Sequence, residues 1–152
     1  MHIDIYQDFV CPWCRIGKKN LTDALEQWQP SYDGEVTANY RAFQLNPELP
    51  PEGADFQEVM APKLGGVANI AQATGQVTKA GEAAGLTFRF DRITRMPNTR
   101  LAHQLAAIAP RDRQTALVDA LYQAYFQEGQ DLSDRAVLSA VLTQAGLDAT
   151  RC

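Results

Sequence analysis

Cys11 and Cys14 stand three residues apart in QDFVCPWCRIGKK (residues 7–19), between an apolar run and a basic segment of helical character. Two thiols at that spacing can act as a dithiol–disulfide couple, supply half of a tetrahedral metal site, or pack as small apolar side chains. Disulfide exchange needs one thiolate to attack and a second thiol close enough to resolve the mixed disulfide. Positions three apart on a helix hold their Cβ atoms about 5–6 Å apart, a small adjustment from disulfide geometry. At a helix start the unpaired N–H groups favour a thiolate on the first cysteine. That first cysteine is Cys11, with Cys14 one turn further in and expected to be the more buried. Pro12 and Trp13 shape the site: Pro12 fixes the turn, and Trp13 offers an apolar surface on which an unfolded chain can rest. Asp8, three residues ahead of Cys11, raises the thiol pKa if it lies near and ionised.

A zinc site would need two more ligands, and no second Cys-x-x-Cys and no closely spaced histidine pair exists. Only His2, His103 and Cys152 remain, scattered over the chain, so no metal is expected. Two packing cysteines stay open as an alternative. The surroundings favour the redox couple, because a strand ending at Phe9 and Val10 followed by an amphipathic helix is the setting that such a couple requires.

The elements that must position the pair follow from periodicity. In HIDIYQDF (residues 2–9), Ile3 and Ile5 alternate with Asp4 and Tyr6, the period of a strand. From Cys11 to Trp28, Ile16, Leu21, Ala24, Leu25 and Trp28 recur at helical spacing, with Pro12 in the first turn. EVTANYRAFQL (35–45) alternates again, so residues 1–46 read as a βαβ unit with parallel strands. NPELPPEG (46–53) is a proline-rich linker, assigned to residues 47–53. Residues 54–152 read as a helical module. Helices are expected at 54–65, disturbed by Pro62, and at 67–84, which Gly75 and Gly81 weaken; LTFRFDRI (86–93) is expected extended. Three further helices are expected, capped by Asn98, Asp112 and Ser133, with Gly146 just past the last.

A chain of 152 residues with 45% hydrophobic and 21% charged residues is globular in composition. A net charge of −4 without a basic run longer than Lys18-Lys19 gives no footprint for nucleic acid or an anionic membrane. Three cysteines make no disulfide framework. The start MHIDIYQDF is not a signal peptide, and no stretch approaches the ~18 apolar residues of a membrane span. A reducing cytoplasm is the expected location.

Four ordered stretches, IDIYQDFVCPWCRIGKK, FQLNPELPPEG (43–53), MPNTRLAH (96–103) and ALYQAYFQEGQDLSD (120–134), resemble the DsbA-like branch of the thioredoxin superfamily, in its FrnE-type subgroup. The resemblance implies an α/β fold, a thioredoxin-like βαβ start with an inserted all-helical domain lying over the active site. It implies disulfide oxidation, reduction or isomerisation with Cys11 as nucleophile and Cys14 as resolving thiol, with no cofactor beyond the two sulfurs and glutathione as a co-substrate. The partners it implies are thiol or disulfide proteins, or glutathione. Hydroxychromene-carboxylate isomerases and kappa-class glutathione transferases share this architecture, bind glutathione and usually carry serine at the first position. A glutathione-dependent isomerase or transferase acting on a small aromatic substrate is therefore the second reading, and a non-catalytic interaction module the third. The family closes its sheet with a second ββα half that begins at a cis-proline. After Gly146 only LDATRC follows, and no proline follows Pro110, so that half is expected to be absent. An open sheet edge, or Cys152, is then expected to support self-association.

The remaining candidates come with plainer readings. Asn98 and Thr99 lie in a segment that the resemblance places near the active site, although Asn98 also suits a helix cap. Phe43 and Gln44 end the second strand on the same side, with Phe43 reading as core. His103, among apolar neighbours, reads as a satisfied core or interface histidine.

Overall fold

The computed structural model describes residues 1–151, so Cys152 lies outside the described residues. Strand β1 (His2–Gln7) pairs in parallel with β2 (Thr37–Ala42), His2 opposite Thr37 and Gln7 opposite Ala42. Ile3, Ile5 and Gln7 turn toward the protein while His2, Asp4 and Tyr6 face out, as the alternation predicts. Helix α1 (Pro12–Trp28) joins the two strands, the crossover that a parallel pair requires.

The linker leads into a helical module. Strand β3 (Ala54–Asp55) pairs antiparallel with β4 (Arg95–Met96), a two-residue ladder too short to leave a periodic trace in the sequence. Between them lie α2 (Phe56–Leu64) and α3 (Ile70–Ala83), preceded by a 3-10 turn at Val67–Asn69. Asp55 caps α2 by accepting from the Glu58 N–H, and Gly65 ends it at φ 77°, a left-handed conformation that glycine adopts freely. Then come α4 (Arg100–Ile108), α5 (Arg111–Phe126) and α6 (Arg135–Gln144).

Three local expectations are corrected. Residues 86–93 are not a strand: Phe90–Arg92 is a 3-10 turn, and the alternating Phe88 and Phe90 rings pack on Phe126 instead of following a ladder. The caps of the later helices shift by one or two residues. Pro110 precedes α5, with Asp112 inside its first turn, and Asp134 rather than Ser133 caps α6, accepting from the Ala136 N–H. The Ser133 hydroxyl instead accepts from the Asn98 N–H. Phe43 is not core; it lies one residue past the end of β2 at Ala42 and is 60% exposed.

Helix α5 is the centre of the core. Leu117, Val118, Leu121, Tyr122, Tyr125 and Phe126 are all essentially buried, in one cluster with Phe9, Leu105, Leu138 and Val141. Burying a large apolar side chain contributes about 1.5–3 kcal/mol, so this helix is the main source of packing energy around the site. Phe9, on the two residues before the cysteine turn, has its ring 5.4 Å from Tyr122. The end of β1 is thus anchored directly on α5.

Candidate active site

The cysteine turn begins where β1 stops. The Asp8 carbonyl accepts the Cys11 N–H at 3.1 Å, closing a turn that hands the chain to α1. Cys11 is the N-cap of α1, with extended backbone, and its Sγ accepts the Cys14 N–H at 3.2 Å. The sulfur occupies the place that a serine or aspartate oxygen takes in an ordinary cap. Pro12 follows at the first helical position, where its missing N–H costs no hydrogen bond. Neither cysteine is in a disulfide.

The expectation that Cys14 is the more buried is corrected: both cysteines are half-buried. Cys14 lies against the edge of the core, at the first turn of a helix that still presents Trp13 to solvent, 56% exposed. The two sulfurs also hydrogen-bond to each other and titrate as a unit. That hydrogen bond lowers the first ionisation to about 7, below an ordinary thiol. The same hydrogen bond, then burial, pushes the second thiol well up. The thiol–thiol hydrogen bond thus favours charge on Cys14, whereas the Cys14 N–H on Cys11 Sγ favours it on Cys11. Asp8 raises both thiols through its charge, the direction expected from its position.

Beside the pair lies an apolar cavity of about 220 Å³, walled by Val10, Pro12, Trp13, Phe56, Met60 and Val77 among others. Its walls come from the start of α1 and from α2 and α3, so the helical module and the cysteine turn share it. Met60 and Met96 line it as flexible apolar fill.

The other sequence candidates are placed as follows. Asn98 lines a second, polar cavity of about 510 Å³ with Gln44, Arg100 and Arg135. Its side chain is spent on the fold: Nδ2 donates to the Leu49 carbonyl at 2.7 Å, and Oδ1 accepts from the Arg100 N–H at 3.0 Å and from Gln44 at 3.4 Å. Asn98 thus satisfies the first turn of α4, while Thr99 is the formal cap residue and is buried. Among the described residues, no group of three His, Cys, Asp or Glu side chains is arranged to hold a metal ion. No helix among them is long and apolar enough to cross a membrane.

Sequence reasoning missed the buried polar contacts beneath the pair. Asp8 meets His103 of α4, Oδ1 to Nε2 at 3.0 Å, with both side chains nearly inaccessible. The Tyr122 hydroxyl donates to Gln7 Oε1. Their only signal is polar side chains set inside apolar runs, and nothing in the chain states that positions 95 and 115 residues apart will meet.

A family model for the DSBA-like thioredoxin domain matches residues 2–152. The chain is 25% identical over 149 residues to the uncharacterised protein YwbO of Bacillus subtilis, covering 97% of this chain and 68% of that protein. It superposes on the crystal structure of a probable DsbA oxidoreductase from Streptomyces coelicolor with a TM-score of 0.81 and 28% identity, covering 99% of this chain and 65% of that one. It thus spans about two thirds of the length of both. A 2-hydroxychromene-2-carboxylate isomerase structure shares the fold, with a TM-score of 0.69 and 14% identity, over 99% of this chain and 68% of the other.

Proposed function

The chain belongs to the DSBA-like thioredoxin domain family, and on that premise we propose that it is a thiol–disulfide oxidoreductase or isomerase of the FrnE type. Cys11 is the nucleophile and Cys14 the resolving thiol. The observation that carries this reading is the cysteine pair at the start of α1, where Cys11 Sγ caps the helix by accepting the Cys14 N–H at 3.2 Å.

With the proton of the pair moved to Cys14, the Cys11 thiolate attacks one sulfur of a substrate disulfide. The substrate S–S bond breaks, a Cys11–substrate disulfide forms, and the second substrate sulfur leaves as thiolate and takes a proton from water. Cys14 then loses its proton to solvent and attacks Cys11 Sγ. The substrate's remaining sulfur leaves, and the Cys11–Cys14 bond closes. The substrate disulfide has been reduced by two electrons and the dithiol oxidised by two; run backwards, the same steps oxidise a substrate dithiol. The Cys14 N–H supports charge on Cys11 in the attacking state. Protein disulfides and glutathione disulfide are the partners this chemistry accepts.

The test is trapping with glutathione disulfide, followed by mass analysis in a Cys152→Ser background. Cys14→Ser should accumulate a mixed disulfide on Cys11, and Cys11→Ser should form far less. Equal trapping at both positions would overturn the assigned roles. A second reading, a glutathione-dependent isomerase or transferase of a small aromatic molecule, draws on the apolar cavity beside Cys11. Turnover of such a molecule that persists in Cys14→Ser would favour it, because that chemistry needs only the first position.

A further inference from the structure

Buried carboxylates need a reason, since burying a charge without partners is costly. Asp8 is 1% exposed, three residues before Cys11. Three N–H donors converge on it from three segments of the chain. Oδ1 accepts from the Phe9 N–H at 2.9 Å and meets His103 Nε2 at 3.0 Å, and Oδ2 accepts from the Leu45 N–H at 2.8 Å. Because the carboxylate accepts, Nε2 is the nitrogen that carries the hydrogen. Two of these donors are backbone groups fixed by the end of β1 and by the residues after β2. The third is a side chain reaching in from α4, whose ring also lies 4.7 Å from the Phe9 ring. The carbonyl of the same Asp8 accepts the Cys11 N–H.

We propose that His103 is a positioning residue for the nucleophile: from α4, its Nε2–H holds the Asp8 carboxylate that fixes the turn carrying Cys11. The inference rests on the reading of Cys11 as the attacking thiol. His103 meets Asp8 and the Phe9 ring rather than either sulfur, and acts through Asp8. Its hydrogen bond does two things for the pair. It orients the carboxylate so that both backbone donors are met, which sets the direction of the Phe9-to-Cys11 segment. It also offsets the carboxylate charge that otherwise opposes a thiolate nearby. The titratable groups facing that charge are the Cys11 and Cys14 thiols at the start of α1 and the Tyr122 and Tyr125 phenols of α5. Burial pushes both phenols up, so they stay uncharged while the thiols titrate.

The experiment is the rate of Cys11 alkylation by iodoacetamide against pH, in the Cys152→Ser chain, with Cys11 and Cys14 separated by peptide mass. His103→Leu keeps the volume but removes the donor. Its Cys11 rate at pH 7 should fall about tenfold, the effect of losing one hydrogen bond to a charged group, with the midpoint moved upward. His103→Gln places an amide N–H where Nε2 stood and should return the rate to within about twofold of the parent. In Asp8→Asn, adding His103→Leu should change the rate little, since the path runs through the carboxylate. A folded His103→Leu chain with the parent's rate and midpoint overturns the proposal, and so does a His103→Gln chain no faster than His103→Leu. If His103→Leu does not fold by circular dichroism, His103→Asn, whose shorter amide falls short of Asp8, decides on the same criteria. Alkylation needs no disulfide substrate. A parent chain that alkylates at Cys11 but never exchanges with glutathione disulfide would sink the functional reading and leave this one standing.

Discussion

At Cys11 the cap of a helix and the reactive atom of a site are the same sulfur, so structure and chemistry compete for one lone pair. The Cys14 N–H that the cap satisfies is also the donor that supports a Cys11 thiolate. The larger effect is the thiol–thiol hydrogen bond, which lowers Cys14 to about 7 and pushes Cys11 well up. Cys14 alkylation should therefore rise as pH passes through about 7 and level off above it, with Cys11 following only at higher pH. Cys14→Ala removes that hydrogen bond and leaves burial and Asp8 to oppose the charge. The Cys11 midpoint should then move down, because Cys14 is the largest single cause holding that thiol up, and a pH series of alkylation rates measures the direction. The residue types and spacing made this pair legible from the sequence. The contact that supports it did not have that advantage, because Asp8 and His103 lie 95 positions apart and only packing brings them together.

At the scale of elements, β1, α1 and β2 were legible because each carries its own period and sits between breakers such as Pro30 and Gly34. The segment 86–93 was misleading because its alternation of Leu86, Phe88 and Phe90 serves aromatic packing rather than a ladder. Gly81 shows the other side of that packing. A mid-helix glycine costs about 1 kcal/mol relative to alanine, so Gly81→Ala ought to stabilise an isolated α3. In the folded chain a Cβ at Gly81 would stand 2.4 Å from the Phe88 ring. That ring cannot retreat: it is buried, set edge-on against Phe126, and carries the Arg15 guanidinium 5.1 Å above it. Overpacking should win, and Gly81→Ala should lower stability by about 1–3 kcal/mol in urea unfolding. A more stable Gly81→Ala chain would show that the glycine is there for another reason.

Across the whole molecule, the parallel unit and the helical module are joined by a seam of buried and half-buried polar contacts. Gln7 meets Tyr122, Asp8 meets His103, Lys18 meets Asp119 at 2.6 Å, and Arg15 donates to the Thr87 carbonyl at 2.7 Å. None of this was legible in composition or periodicity, since each partner taken alone reads as an ordinary surface or core residue. Tyr122→Phe leaves the buried Gln7 amide oxygen without its donor and should cost about 1–3 kcal/mol by denaturant titration. The seam also predicts one cooperative unit. Trp13 and Trp28 both lie on α1, so tryptophan fluorescence reports the parallel unit while circular dichroism is dominated by the helical module. The two unfolding curves should coincide, and separate midpoints would mean that the seam does not couple the halves. The most direct test of the central claim is the redox equilibrium of Cys11 and Cys14 in glutathione buffers, scored by alkylation and mass with Cys152→Ser. The account predicts that both thiols become protected together, reversibly, at a potential between about −270 and −120 mV. Two thiols that remain separately alkylatable across that range, with no internal disulfide, would contradict it.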